Sequence, residues 1–318
     1  MKIAITGGTG FVGGYAAREL TALGHEVVLL ARGVDRRDLA MRNLPGARFV
    51  AAGLGDVAAL AAAFAGCHAV AHCAGVNRER GAETFRKVHI DGTRNVVEAA
   101  CRAGVKKVLL LSFLRARPRC GSAYHETKFE AEEIIRGSGL DFTVLKAGVI
   151  YGRGDHMLDH LSHGLHTFPF FPLVGVRTRR FRPMAAEDVA RLIRVSLVDG
   201  KLSRKTVWAV GPEEMPLREG IARVARAIGR SPVIFPCPVF PHRILAFFFE
   251  KLMVMPLIAR AQVQILAEGL AEASQPCEDL PSELRPSTRF TQEQIKKGLP
   301  PPGGFGLRDL RLCAPRGT

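Results

Sequence analysis

Short runs of aliphatic and β-branched residues alternate with stretches of helical period over the first 146 positions. The strand candidates are Lys2–Thr6, Glu26–Ala31, Ala47–Ala52, Ala69–Cys73, Lys106–Ser112 and Asp141–Lys146. Between them the apolar positions recur with helical spacing, near Phe11–Leu23, Val57–Ala65, Thr84–Ala103 and Ser122–Arg136. Continuous apolar strands separated by crossover helices imply burial on both faces, as in a doubly wound parallel sheet of the α/β class.

The pattern changes after Gly148. Residues 152–183 carry His156, His160, His163 and His166, then a Phe- and Pro-rich run, and read as a loop-rich insertion. A helix at 187–197 returns to the first domain, followed by a short strand, Thr206–Val210, and a helix, Leu217–Ile228. Residues 239–271 are strongly apolar, and the Pro- and Gly-rich end contains a capping-box spacing from Thr291 to Gln294. The expected organisation is a dinucleotide-type domain over 1–146 plus helix 187–197, and a smaller, discontinuous C-terminal domain over 147–183 and 200–318.

Composition narrows the choices. The chain has 318 residues, 47% of them hydrophobic and 24% charged, which excludes a disordered chain. No apolar run is long enough to span a bilayer, and Met1 leads directly into a strand-like run without a secretory leader pattern. Seven scattered cysteines without a C-x-x-C pair read as reduced thiols, so a cytoplasmic protein is expected. The net charge of +15 is spread over both halves, and no nucleic-acid motif accompanies it. An anionic cofactor, an acidic membrane surface on the inner face, or an acidic partner are the partners that this field suits.

Two local patterns carry chemistry. Gly7, Gly10 and Gly13 sit in Thr6-Gly7-Gly8-Thr9-Gly10-Phe11-Val12-Gly13, between a strand and a helix. Glycines at that spacing let backbone amides at a helix N-terminus approach a pyrophosphate. The second strand ends at Ala31-Arg32, with Arg36 and Arg37 close behind and Asp35 lying past the strand. A guanidinium there suits a 2′-phosphate, so NADP(H) is preferred over NAD(H). The second pattern is Tyr124 and Lys128, one helical turn apart after the fifth strand. An ammonium beside a phenol favours the phenolate, which makes an acid–base pair.

These strings together resemble the short-chain dehydrogenase/reductase superfamily, in its extended or atypical branch, with a Rossmann dinucleotide fold. The resemblance rests on TGGTGFVG (6–13), HCAG (72–75), DGTRNVVEAA (91–100), YHETK (124–128), GVIYG (148–152) and RPMAAEDVA (182–190). SGLDFTVLKAGVIYGRGD (138–155) and FPFFPLVGVRTRRFRPMAAEDVA (168–190) are similar to the branch that contains the NADPH-binding accessory subunit of respiratory complex I and its bacterial relatives. The resemblance implies that Gly7, Thr9, Gly10, Phe11, Val12 and Gly13 hold the pyrophosphate and Arg32 the 2′-phosphate. It places Leu54, Ala74 and Gly75 along the cofactor, Lys128 on the nicotinamide ribose, and Ala147, Val149 and Ile150 beside the ring. Tyr124 becomes the proton donor or acceptor.

The chain also departs from the branch. His89 stands where Asn is usual, Gly53 where an acid contacts adenine, and Lys146-Ala147 where Arg-Pro is usual. The catalytic Ser or Thr of epimerases has no counterpart at the usual spacing, which leaves Ser112 or Ser122 as substitutes. Asp56 reads as a helix cap. The four histidines at 156–166 read as surface or pocket-lining groups and not as metal ligands.

The reading from sequence is an NADP(H)-binding oxidoreductase acting on a small, hydrophobic or quinone-like substrate. A non-catalytic NADPH-binding accessory or assembly protein of an electron-transport complex is the alternative, and a nucleotide-sugar epimerase or dehydratase the second. The apolar segment Ile244–Pro256 is either a buried helix or a surface for a membrane or respiratory-complex partner.

Overall fold

The computed structural model describes residues 1–33, 39–253, 256–306 and 309. The chain divides into two units: Met1–Gly148, Ala186–Val210 and Ala273–Ser287 form the first, and Val149–Ala185, Gly211–Glu272 and Thr288–Thr318 the second.

Seven parallel strands build the first unit. They are β1 (Lys2–Thr6), β2 (Glu26–Ala31), β3 (Ala47–Ala51), β4 (Ala69–His72), β5 (Lys107–Phe113), β6 (Asp141–Ala147) and β11 (Lys205–Ala209), in the order β11-β6-β5-β4-β1-β2-β3. The runs Ile3-Ala4-Ile5, Val27–Leu30 and Val108–Leu110 are buried on both faces, as a parallel sheet requires. The crossover helices are α1 (Phe11–Ala22), α2 (Leu39–Arg42), α3 (Val57–Phe64), α4 (Gly92–Arg102), α5 (Ala123–Arg136) and α7 (Ala186–Leu197). Asp56 caps α3, its Oδ1 accepting the Ala59 N–H at 2.9 Å. Leu60, Phe64, Val96, Ala100 and Ile135 from three helices pack with Val28, Val70, Val108 and Val144 of the sheet. On the other face α1 packs against α7. Strand order reverses between β1 and β4, and in such sheets ligands bind outside the carboxyl ends of the strands at that point.

Three features differ from the sequence expectation. The helix expected over Thr84–Ala103 is π-helical at Arg86–Asp91 before α4 begins, and the Thr93 hydroxyl bonds back to the His89 carbonyl at 2.5 Å there. The strand near 206–210 belongs to the first unit, since β11 pairs along β6 at the sheet edge. Residues 273–287 join that unit as well: Trp208 N–H donates to the Glu278 carbonyl, and Glu278 N–H to the Thr206 carbonyl. The boundary expected from the sequence places both segments in the second domain.

The second unit contains α6 (His156–Thr167), α8 (Leu217–Ala227), α9 (Val239–Leu252), α10 (Arg260–Glu268) and α11 (Gln292–Gly298). Its strands are short pairs: β7 (Ile150–Tyr151) with β10 (Met184–Ala185), β8 (Phe170–Val174) with β13 (Val233–Cys237), and β9 (Arg180–Phe181) with β12 (Met215–Pro216). The expected loop-rich insertion at 152–183 is thus largely regular. Asp155 caps α6 by accepting the Leu158 N–H at 2.7 Å, and Leu158, Ser162 and Leu165 form its buried face. The Thr291 hydroxyl caps α11 through the Gln294 N–H, as the spacing foretold.

Candidate functional site

The turn after β1 is wound as the glycine spacing requires. Gly7 has φ +67°, and a Cβ on it would lie 2.8 Å from Ala74 Cα. A Cβ on Gly13 would lie 2.2 Å from the Gly7 carbonyl oxygen, so no side chain fits between turn and helix. Gly10 is the N-cap of α1 and offers no side chain to its first turn. The amides of Phe11, Val12 and Gly13 therefore have no intrahelical acceptor, and the helix dipole adds positive character there. This cradle fits a dinucleotide pyrophosphate. Thr9 is half-buried on its rim.

Arg32 follows β2 and is bonded to the carboxylate of Glu83. Its side chain is 55% exposed, so the pair stands at the surface. Asp35, Arg36 and Arg37 lie outside the described residues. Leu54 is held against α4, its carbonyl accepting the Asn95 amide at 2.8 Å, while a Cβ on Gly92 would meet Leu54 Cδ1 at 2.7 Å.

The segment after β4 links this cradle to Lys128. Ala74 touches the Gly7 turn, and a Cβ on Gly75 would lie 3.1 Å from Lys128 Nζ. That nitrogen donates to the Leu111 carbonyl at 3.2 Å. Burial pulls the Lys128 ammonium down to about 8, with Glu132 opposing the shift. Tyr124, one turn earlier on α5, meets the rings of Phe113, Phe85, His89 and His125 edge-on, at 5.4, 5.5, 5.7 and 5.8 Å between centroids. Burial pushes its phenol up to about 12. Among the described residues its hydroxyl makes no hydrogen bond.

His89 and His72 are parts of this site that spacing alone did not assign. His89 Nε2 accepts the Val76 N–H at 3.2 Å, and Nδ1 lies 3.0 Å from the Thr127 hydroxyl. Since that hydroxyl donates to the Ala123 carbonyl, the network assigns the proton to Nδ1. His72 closes a similar chain: the Thr6 hydroxyl donates to Nδ1 at 2.6 Å, and Nε2–H donates to Thr93 at 3.1 Å. Burial, reinforced by Lys128, pulls His89 down to about 2 and His72 to about 3, so both rings are neutral. The clue for His89 was its place where the resembling branch has Asn.

Ser112 lies near the end of β5. Its hydroxyl donates to Glu132 at 2.5 Å, inside a buried group that also contains Lys146, 3.3 Å from the same carboxylate, and Arg136. The hydroxyl is thereby bonded to a buried ion pair. Ser122 is likewise bonded, to His125 Nδ1 at 2.6 Å. Ala147 ends β6 opposite Phe113 and is buried. Val149 and Ile150 belong to the second unit, where the Val149 carbonyl accepts the Met184 N–H and Ile150 lies in β7. The histidines of α6 follow one helix: His160, His163 and His166 each place Nδ1 on the carbonyl four residues back. No group of His, Cys, Asp and Glu suited to a metal occurs among the described residues.

A parallel sheet with a glycine cradle at its switch point and a Tyr–Lys pair after β5 defines the class of nicotinamide-dinucleotide-binding α/β proteins. The NAD(P)H-binding family profile matches residues 7–164. The sugar epimerase YhfK of Bacillus subtilis, itself uncharacterised, is 30% identical over 236 residues, covering 70% of this chain and 100% of its own. The chain belongs to the NAD(P)-binding extended short-chain dehydrogenase/reductase family. The ceramide reductase of Caulobacter vibrioides is 32% identical over 188 residues, 59% of this chain and 58% of its own. An uncharacterised protein of Mycobacterium tuberculosis is 30% identical over 259 residues, and the chain spans 27% of that relative's length. The UDP-glucose 4-epimerase of Thermus thermophilus, solved with NAD, shares the fold with a TM-score of 0.68 at 21% identity, over 93% of this chain and 97% of its own.

Proposed function

We propose that the protein is an NADP(H)-dependent oxidoreductase that acts on a hydrophobic carbonyl or carbinol substrate. The observation that carries this reading is the placement of Tyr124 and Lys128. They sit one turn apart on α5, Lys128 Nζ is held on the Leu111 carbonyl beside Gly75, and the Tyr124 hydroxyl is unbonded among the described residues. A bound nicotinamide dinucleotide supplies or accepts the hydride. The amides of Phe11, Val12 and Gly13, with Gly7, Thr9 and Gly10, hold its pyrophosphate, and Arg32 its 2′-phosphate after exchanging Glu83. Lys128 holds the ribose. Tyr124 gives its proton to the substrate oxygen in reduction and takes it back in oxidation. The similarity to a ceramide reductase supports a hydrophobic substrate.

The test is NADPH-dependent reduction of a panel of long-chain ketones. Tyr124→Phe should abolish turnover while leaving NADPH affinity intact, and Gly10→Asp should abolish both by placing a carboxylate against the phosphates.

A second reading is favoured by the commitment of Ser112 to Glu132. An epimerase-type Ser is then missing, and the chain serves as an accessory or assembly protein stabilised by NADPH through mass action. Under that reading Tyr124→Phe keeps the biological function and Gly10→Asp loses it through lowered stability. Affinity for a nucleotide sugar, the ligand class suggested by the name of YhfK, would displace both readings.

A further inference from the structure

The second unit carries an apolar surface that its own core does not use. Helix α9 buries His242, Ala246 and part of Phe249, and a small core of Val174, Ala246 and Val263 lies beneath it. The opposite arc presents Phe240, Ile244, Leu245, Phe247, Phe248 and Leu252 to solvent, with Phe240 71%, Phe248 51% and Leu252 49% exposed. The neighbouring strands add to the exposed apolar surface. Val233 of β13 pairs with Phe170 of β8, both are exposed, and β13 runs into α9 through Pro238.

The charges on this helix are one-sided. Arg243 and Lys251 are exposed, Lys251 lying 4.2 Å over the Phe247 ring, and Arg243 has no ion-pair partner among the described residues. Glu250 is its one acid, and that carboxylate is bonded to the Arg260 N–H and guanidinium. His242 is buried and bonded to the Pro172 and Pro238 carbonyls. The exposed arc therefore offers Phe, Leu and Ile with two cations, and no hydroxyl, amide or indole.

We propose that α9 docks the protein on the surface of an anionic lipid bilayer, with the Phe240–Leu252 arc in the acyl–headgroup boundary and Arg243 and Lys251 at the phosphates. An apolar arc with cations beside it is the pattern of helices that lie in the membrane interface. Fourteen residues rise only about 21 Å, short of the roughly 30 Å hydrocarbon layer, so the helix lies on the bilayer and does not cross it. A second copy of the chain fits less well, because it would bring like charges together on a chain of net charge +15. A protein partner would meet few hydrogen-bonding groups, whereas protein interfaces carry about one such bond per 100–200 Å².

The experiment is co-sedimentation of the full chain with phosphatidylcholine vesicles, plain or containing about one-quarter phosphatidylglycerol, at low and at roughly half-molar salt. Binding should require the anionic lipid and weaken with salt. Phe240→Ser with Phe248→Ser should reduce it by more than about tenfold, since each exposed ring loses its burial in lipid. Arg243→Glu with Lys251→Glu should abolish the preference for anionic vesicles. Unchanged melting temperature and NADPH affinity of the variants show that the fold persists. The proposal is overturned if no vesicle is bound, or if binding survives the Phe substitutions. It is equally overturned if gel filtration shows a dimer that Phe240→Ser dissolves, which would make a second copy the occupant.

Discussion

Arg32, the first residue beyond β2, is bonded to the carboxylate of Glu83. On the proposed reading, a dinucleotide's adenosine ribose would lie beside this pair. A 2′-phosphate has to replace Glu83 on the guanidinium, whereas a free 2′-hydroxyl leaves the pair in place. Glu83→Gln should therefore tighten NADPH binding, by about threefold given the exposure of the pair, and leave NADH binding unchanged. Arg32→Ala should weaken NADPH by about tenfold or more with little effect on NADH. Isothermal titration with both dinucleotides reads both outcomes. Equal responses to the two would remove Arg32 from the recognition of the phosphate.

Tyr124→Phe should lower turnover by about 10²–10⁴, the usual contribution of a positioned acid–base group. The pH profile should identify Lys128. Its ammonium, pulled down to about 8 by burial, is lost as pH rises through that value, and turnover that needs the charge falls with it. Lys128→Arg, which stays charged, should move this limb upward, and Lys128→Met should weaken cofactor binding as well. A profile flat to pH 10 in the native protein would show that the ammonium plays no part.

Stability in acid should report on His72 and His89. Their folded values, about 3 and about 2, lie below the unfolded value near 6.5. The unfolded chain takes up these protons first, so their contribution is complete above pH 6.5 and is lost as pH falls towards 3. His89→Asn should flatten the denaturation midpoint against pH over that window. Asp155 works the other way, being raised to about 7, so the difference between variant and native protein is the quantity to follow.

Ser112 and Glu132 separate structure from chemistry. Ser112→Ala removes one hydroxyl from the buried carboxylate and should cost about 1 kcal/mol with cofactor binding intact. Glu132→Ala leaves Lys146 buried without its carboxylate and should cost about 3–5 kcal/mol in denaturant melts. Loss of turnover without loss of stability in Ser112→Ala would restore a catalytic role to it.

What the sequence disclosed follows the range of the interactions. Gly7, Gly10 and Gly13, or Tyr124 and Lys128, work through spacing within a turn or a helix, and such spacing is visible in one dimension. The bonds of Arg32 to Glu83, His72 to Thr93 and Lys146 to Glu132 join separate elements, and no local pattern marks them. Ser112 illustrates this. Its position at a strand end suited catalysis, but the partner that claims it lies on another element. Helix α6 was hidden by its His-rich composition, although its buried face, Leu158, Ser162 and Leu165, keeps helical spacing.

The first unit collects its edge strand β11 and helix α7 from residues 186–210, and a covering segment from 273–287. Strand β6 ends at Ala147 and its edge partner β11 only at Ala209, so some 60 further residues have to emerge before the two can pair. At about 5–20 residues per second that is a wait of roughly 3–12 seconds. During it β6 lacks its neighbour and presents an unpaired edge, so the nascent chain has a period of exposure that chaperones or early cofactor capture would shorten.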